Sequence, residues 1–360
     1  MAVCSTVRCC VGVSLACWLV ASAAAANAPK ITEFSAGAVA AGPSTIVAGA
    51  DGNLWFSKVI QRLGPHPEGA TIGKISTSGV VKGQYKVGPF DDNLGEVAAG
   101  PDGNIWFTES FYPTQGSLTN GTAPGGVGMI TPDGAVTQFS AGISPGSRPG
   151  DITAGPDGNL WFTEFSGNRI GMVTPAGVVT EFSAGIAPQS HPAGIAAGPD
   201  GRLWFTQTDE IGSITPSGVV TEHRLPSGID PDAITAGPDR KLWFTWSSKR
   251  GGGIGRITPA GVVTEYSAGI TPGSRPAQIT AGPDGNLWFT EAAGNRIGRI
   301  TTAGAVTEYG VGITPKSGPN GIVTGPDGNI WFTEPGLLSS ASPTAGSANR
   351  IGRLVVPRRR

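Results

Sequence analysis

The amino-acid sequence predicts an all-β chain, a seven-bladed β-propeller of four-stranded antiparallel blades. Three observations carry that expectation. A ten-residue unit, GPDGNLWFTE at residues 155–164, returns letter for letter at 282–291, with close copies at 49–58, 100–109, 198–207, 237–246 and 325–334. Its tryptophans (Trp55, Trp106, Trp161, Trp204, Trp243, Trp288 and Trp331) are spaced by 51, 55, 43, 39, 45 and 43 residues, a period that marks a repeat architecture. Each repeat also divides into four short β-prone runs separated by Gly and Pro turns, which is the pattern of a propeller blade.

The third repeat shows how each element follows from its residues. Ile152-Thr153-Ala154 is the first β-prone run, and Pro156-Asp157-Gly158-Asn159 is a turn. Asp accepts the bent backbone, and Gly takes positive φ without a Cβ clash. Leu160 to Glu164 is the second strand, with Leu160, Phe162 and Glu164 on one side and Trp161 and Thr163 on the other. Asn168 to Val173 gives a third strand, Thr174-Pro175-Ala176-Gly177 a turn, and Val178 to Phe182 a fourth strand.

Strand counting predicts how the ring closes. The last repeat has its first three strands around Ile322, Trp331 and Ile351 but no VVTEF segment before Arg360. That segment stands instead near the start of the chain, as Ile31-Thr32-Glu33-Phe34. The N-terminal strand is therefore expected to complete blade seven and leave no long open edge. Antiparallel pairing puts the start of each first strand and each second-to-third loop on one face. Three of those loops are long (58–71, 110–126 and 335–348), and long loops on a rigid scaffold are where function is expected.

Composition sets bounds on this reading. Gly and Pro, at 57 and 30 residues, make up nearly a quarter of the chain, but they recur at fixed places and read as turn punctuation. With 25 basic and 26 acidic residues, no global field recruits nucleic acid or anionic membrane. Residues 1–26 read as a secretory signal, with Arg8 before an apolar run from Cys9 to Val20 and a small-residue site at Ala24-Ala25-Ala26. The expected organisation is a signal at 1–26, the propeller at 27–357 and a basic tip at 358–360. Cys4, Cys9, Cys10 and Cys17 all lie in the signal, so the exported chain, periplasmic or extracellular and expected to be a monomer, would contain no cysteine.

The repeated form PxxIxxGPDGNLWFTE…NRIGRITPxGxVTEF resembles that of the streptogramin lyases, the virginiamycin B lyase family, over essentially the whole of 27–357. The resemblance implies a seven-bladed propeller and, in the true lyases, a magnesium-dependent elimination that opens a cyclic depsipeptide at its ester bond. Such a reaction needs a base for the proton α to a carbonyl and a metal for the developing charge. In the family the base is a histidine just after the proline that precedes a first strand, within Glu-Pro-His. The matching positions here hold Ser44, Gly95, Gly150, Ala193, Asp232, Ala277 and Asn320, and none is histidine. Asp230-Pro231-Asp232 comes nearest. The family's metal-binding glutamate, four residues after a blade tryptophan, meets Val59, Ser110, Phe165, Thr208, Ser247, Ala292 and Pro335.

Candidate residues come from the places where the repeat departs from itself. Glu164, Glu291 and Glu334 share blades with Arg169, Arg296 and Arg350, and each Glu–Arg pair is expected to bridge neighbouring strands. Glu109 has no such arginine. His191, in Ser190-His191-Pro192, is the only imidazole in the position before a first strand. These two are the candidate catalytic groups, expected to share one pocket with Asp230 or Asp232. Those two aspartates, with Asp91, Asp92 and Glu96, form the candidate oxygen-donor metal site, with magnesium implied only by the family resemblance. Trp246, followed by Lys249 and Arg250, is read as an exposed aromatic beside cations; Arg148, Arg275 and Asn320 join it as candidate ligand-binding residues. His223 is expected to be an exposed strand residue, and His66 lies in a loop with no metal spacing to the other histidines. The reading is a small-molecule or protein ligand on the long-loop face; the rival is a magnesium-dependent C–O lyase or related hydrolase.

Overall fold

The structure, a computed structural model, describes residues 29–37, 42–59, 70–87, 92–111, 125–248, 251–336 and 349–357. Among them are 28 strands and no helix, arranged as seven antiparallel sheets of four strands each. The first strands of successive blades lie against one another: β2 (Gly42–Ala48), β6 (Asp92–Ala99), β10 (Pro149–Ala154), β14 (Ile195–Ala197), β18 (Asp230–Ala236), β22 (Pro276–Ala281) and β26 (Ile322–Thr324), with β26 returning to β2. The molecule is a closed seven-bladed propeller.

The expected closure is observed. Strand β1 (Ile31–Ser35) pairs with β28 (Arg350–Leu354), with Ile31 opposite Leu354 and Ser35 opposite Arg350. Blade seven is therefore β1-β28-β27-β26, with β27 spanning Ile330–Glu334, and the two ends of the chain share one sheet.

Each repeated letter has a packing role. All seven motif tryptophans are buried to 1% exposure or less. Trp161 packs on Ile195, Leu203, Phe205 and Ile214 of the next blade. The aromatic residue on the outermost strand of its own blade stacks on it, as Phe182 does at 5.3 Å. The motif aspartate does more than shape the turn, because Asp157 accepts the Trp161 indole N–H at 3.0 Å. Gly155 is required beside that ring, since a Cβ there would lie 2.5 Å from it. Full burial of one such indole contributes several kcal/mol, about 3–5 by the cost of large-to-alanine changes.

The motif threonine ties blade to blade. Thr163 accepts the N–H of Asp151 in its own blade (3.0 Å) and donates to the carbonyl of Ala193 in the next (2.7 Å). Thr206, Thr245, Thr290 and Thr333 donate in the same way to Asp232, Ala277, Asn320 and Ser44 at 2.6–2.7 Å.

Three side-chain expectations are corrected. The arginines do not bond the glutamates opposite them in register. Arg169 is the Cα partner of Glu164, yet its Nη1 reaches past it to Glu181 on the outermost strand (3.0 Å). Arg296 reaches Glu308 (2.8 Å) and Arg350 reaches Glu33 (2.6 Å). Glu164, Glu291 and Glu334 are fully buried, whereas the arginines keep a third of their side chain in solvent, where a guanidinium is hydrated. His223 is not a simple exposed residue: it takes the aromatic place of its blade and stacks on Trp204 at 5.3 Å. Trp246 is not exposed either. It stands at the buried position of Glu164 and packs with Leu225, Ile229 and Ile234.

Candidate functional site

A cavity of about 270 Å³ opens among the innermost strands at the end where they begin. Local chain geometry aims its polar lining. The ladder slips by a bulge between Leu94 and Val97, between Pro149 and Ile152, and between Pro231 and Ile234. A bulge re-aims the side chains it contains, and proline at the strand start is tolerated because no ladder donor is needed there. Glu96, Asp151 and Asp232 sit within those bulges and line the cavity. Gln278, at the equivalent bulge of blade six, lines it too and donates from Nε2 to Glu96 Oε1 at 3.3 Å.

The acids are electrostatically coupled. Burial pushes the Asp151 carboxyl up to about 7, against the backbone N–H groups of Ile195 and Ile152 (each 2.8 Å), with the charge of Asp232 adding to the rise. Burial also raises Glu96 well above the usual carboxylate range, helped by the charges of Asp151 and Asp232. Asp232 is raised by surrounding protein and by Asp230, with Arg275 opposing. Although Asp232 is open to solvent through the cavity, protein surrounds it on its other sides, and its raised pKa reflects those sides. Three carboxyls in one enclosure favour partial protonation or a positively charged guest.

One rim is aromatic and cationic. Phe165, 37% exposed, lies between the Arg148 guanidinium at 5.2 Å and the His191 imidazole at 4.8 Å. Arg148 and His191 hold the same position before a first-strand proline, and both take positive φ, at 57° and 52°. The Nδ1 of His191 meets the Phe165 carbonyl at 3.1 Å, which fixes the ring.

The candidates are only partly brought together. Asp232 and Arg148 line the cavity, whereas His191 stands behind Phe165 and is not in the lining. Glu109 is buried and turned away, with both oxygens held by Gln138 Nε2 at 2.8 and 2.7 Å; its neighbour Ser110 lines the cavity instead. The expected pocket of Glu109, His191 and Asp230 or Asp232 does not form as one group. Asp230 and Arg275 lie outside the lining, on exposed positions. Asn320 directs Nδ2 to Ser44. Lys249, Arg250, Asp91 and His66, and most of the three long loops, lie outside the described residues. Among the described residues, no three Asp, Glu or His side chains converge as a metal ion requires, so the acids present do not fit a magnesium cage.

Asp151 and Phe165 went unassigned in the sequence. The available signal was the second residue after each first-strand proline or its equivalent (Thr45, Glu96, Asp151, Gly194, Ala233, Gln278, Gly321), which varies inside an otherwise regular motif; five of the seven, Glu96, Asp151, Gly194, Ala233 and Gln278, line the cavity.

The model of the virginiamycin B lyase family matches residues 118–354. A crystal structure of a catalytically inactive histidine-to-alanine virginiamycin B lyase from Staphylococcus aureus, with quinupristin, is 33% identical, with 91% of this chain and all of that one covered and a TM-score of 0.75. This chain belongs to the virginiamycin B lyase family. A streptogramin B lyase structure is 32% identical, with 91% and 98% covered and a TM-score of 0.74. The extracellular domain of a putative hybrid two-component system from B. thetaiotaomicron matches at 13% identity over 87% of this chain and 40% of that one, with a TM-score of 0.61, which is a likeness of fold alone. No curated protein matches. No helix among the described residues is long and apolar enough to cross a membrane.

Proposed function

We propose that this virginiamycin B lyase family member is an exported binding propeller that takes a small ligand at the acid-lined channel mouth and does not open depsipeptides. The observation that carries the reading is the cavity itself, with Glu96, Asp151 and Asp232 on its floor and Phe165 and Arg148 on its rim. A guest with a protonated amine and a flat apolar part suits that lining. The amine meets the carboxyls, and the flat part lies on the Phe165 ring. The lyase function is set aside because the base position of the family holds no histidine in any of the seven blades.

The rival reading rests on one observation. Asp232 occupies a base position, lines the cavity and has a raised pKa, as a carboxylate general base would need. The two are separated by a thermal-shift titration with quinupristin, and with aromatic amines against aromatic carboxylates of equal size. Amines are expected to raise the melting temperature and carboxylates not to, with the amine effect lost in Asp151→Asn combined with Asp232→Asn. Equal response to both charges, or an effect that survives that double variant, removes the proposed site.

A further inference from the structure

Away from the cavity, one buried pair of side chains recurs around the ring: the residue three after the motif tryptophan, fifth in the second strand, and a residue of the outermost strand. In blade four the pair is Gln207 and Glu222, and the Gln207 amide donates to Glu222 Oε1 at 2.8 Å. In blade two it is Glu109 and Gln138, with the amide on the other partner. In both blades an amide N–H supplies the hydrogen between two oxygen-bearing groups.

Blades three, six and seven have no amide to supply it. There the pairs are Glu164 with Glu181, Glu291 with Glu308, and Glu334 with Glu33, each in mutual hydrogen-bonding position. Glu164, Glu291 and Glu334 are fully buried. No hydrogen bond from a backbone N–H or a cation satisfies the oxygens of Glu164 or Glu334, and Glu291 receives only the Ser274 hydroxyl, at 2.7 Å. Ser147 and Ser317 stand in the same place in the other two blades. The outer partners are held as carboxylates from outside. Glu181 accepts from Arg169 Nη1 (3.0 Å), and from Ser144 N (2.5 Å) and Oγ (2.7 Å). Glu308 accepts from Arg296 and Thr271, and Glu33 from Arg350 and Thr314, in the same pattern. Two neighbouring carboxylates whose one arginine is engaged by the outer partner do not both ionise, and a single hydrogen between them reproduces the amide arrangement of blades two and four.

We propose that Glu164, Glu291 and Glu334 are un-ionised acids just below neutral pH, donating their protons to Glu181, Glu308 and Glu33 respectively, and that these three pairs form pH-sensitive clasps. Each clasp joins a second strand, an outermost strand and the connection that leads into a first strand, Ser147-Arg148-Pro149, Ser274-Arg275-Pro276 or Ser317-Gly318-Pro319, of which Arg148 and Pro149 line the cavity. Loss of the proton sets two like charges against each other beneath that segment and loosens the connection. The groups facing each buried acid are the outer glutamate, the blade arginine and the connection serine, and the arginine is already engaged by the outer glutamate. Burial, with the partner's charge, accordingly pushes Glu164 and Glu334 up to about 8. Burial also pushes Glu291 up to about 7, with Ser274 opposing and Glu308 adding. The inference is independent of which ligand the cavity takes.

The test is infrared difference spectroscopy at pH 6 between the full chain and the variant carrying Glu164→Gln, Glu291→Gln and Glu334→Gln. The parent is expected to show three more un-ionised carboxyl groups than the variant; Glu96 and Asp151 contribute to both and cancel. Glu164→Gln alone and Glu181→Gln alone should each remove one of the three, because an amide on either side replaces the shared proton. Melting temperature should fall in the parent as pH rises from about 4.5 to about 8, and fall less steeply in the triple variant, where the cavity acids keep a raised pKa. Equal carboxyl signals in parent and variant, an equally steep fall of melting temperature with pH in both, or a triple variant that does not fold would each overturn the proposal.

Discussion

The hydroxyl of Thr333 donates to the backbone carbonyl of Ser44 at 2.6 Å, across 289 residues of sequence. The bond joins blade seven to blade one and is one of six equivalent threonine bridges, which explains why six of the seven motif copies read WFT; blade one has Ser57 there, bonded to Thr45. A buried hydroxyl at this place satisfies one N–H and one C=O that β-ladders leave over between blades.

Replacing Thr206 with Val keeps the shape and removes both bonds, to Asp232 O (2.6 Å) and from Gly194 N (2.8 Å). Leaving those groups unsatisfied should cost about 1–3 kcal/mol, read as a lowered denaturant midpoint with unchanged slope. A midpoint equal to that of the parent would show that the bridges do not hold the blades.

A chain that begins at residue 38 lacks β1 and loses the Arg350–Glu33 ion pair with it. Blade seven then presents an open edge at β28, so lowered melting and concentration-dependent association are expected by scattering. Unchanged melting as a monomer would contradict closure by the shared blade.

His223 makes stability depend on pH. Burial holds its pKa below the ordinary 6.5, with Arg202 acting in the same direction, and its buried Nε2 has no hydrogen-bond partner. A depressed histidine pKa means the unfolded chain binds the proton more readily. The contribution is therefore complete above 6.5 and is lost as pH falls through the folded value. His223→Tyr, which restores the residue that blades five and six use, should flatten the melting curve on the acid side of 6.5. An unaltered acid-side slope would mean that another group sets it.

The fold was legible because the repeat is dense in residues with a single local use. Trp161 needs a buried face, Gly158 a positive φ, and the missing fourth strand of blade seven had one counterpart, at Ile31–Ser35. Side-chain partnerships were less legible. The register places Glu164 opposite Arg169, but the length of arginine lets its head leave that buried position for Glu181 and solvent. Trp246 looked like an exposed irregularity, yet it fills a position where every other blade also buries its residue. The cavity acids were hidden for a different reason. Asp151 reaches the channel through a bulge, and period-two alternation gives no sign of the extra residue.

The scaffold of the virginiamycin B lyase family is kept here with no histidine at the base position of any blade, and one assay tests directly whether the activity is absent too. Purified protein is incubated with quinupristin at neutral pH, with and without magnesium, and the cyclic and linear forms are separated by chromatography. Quinupristin is expected to be recovered cyclic under both conditions. Linear product that depends on magnesium and disappears in Asp232→Asn would contradict this expectation and establish Asp232 as the base of an active lyase.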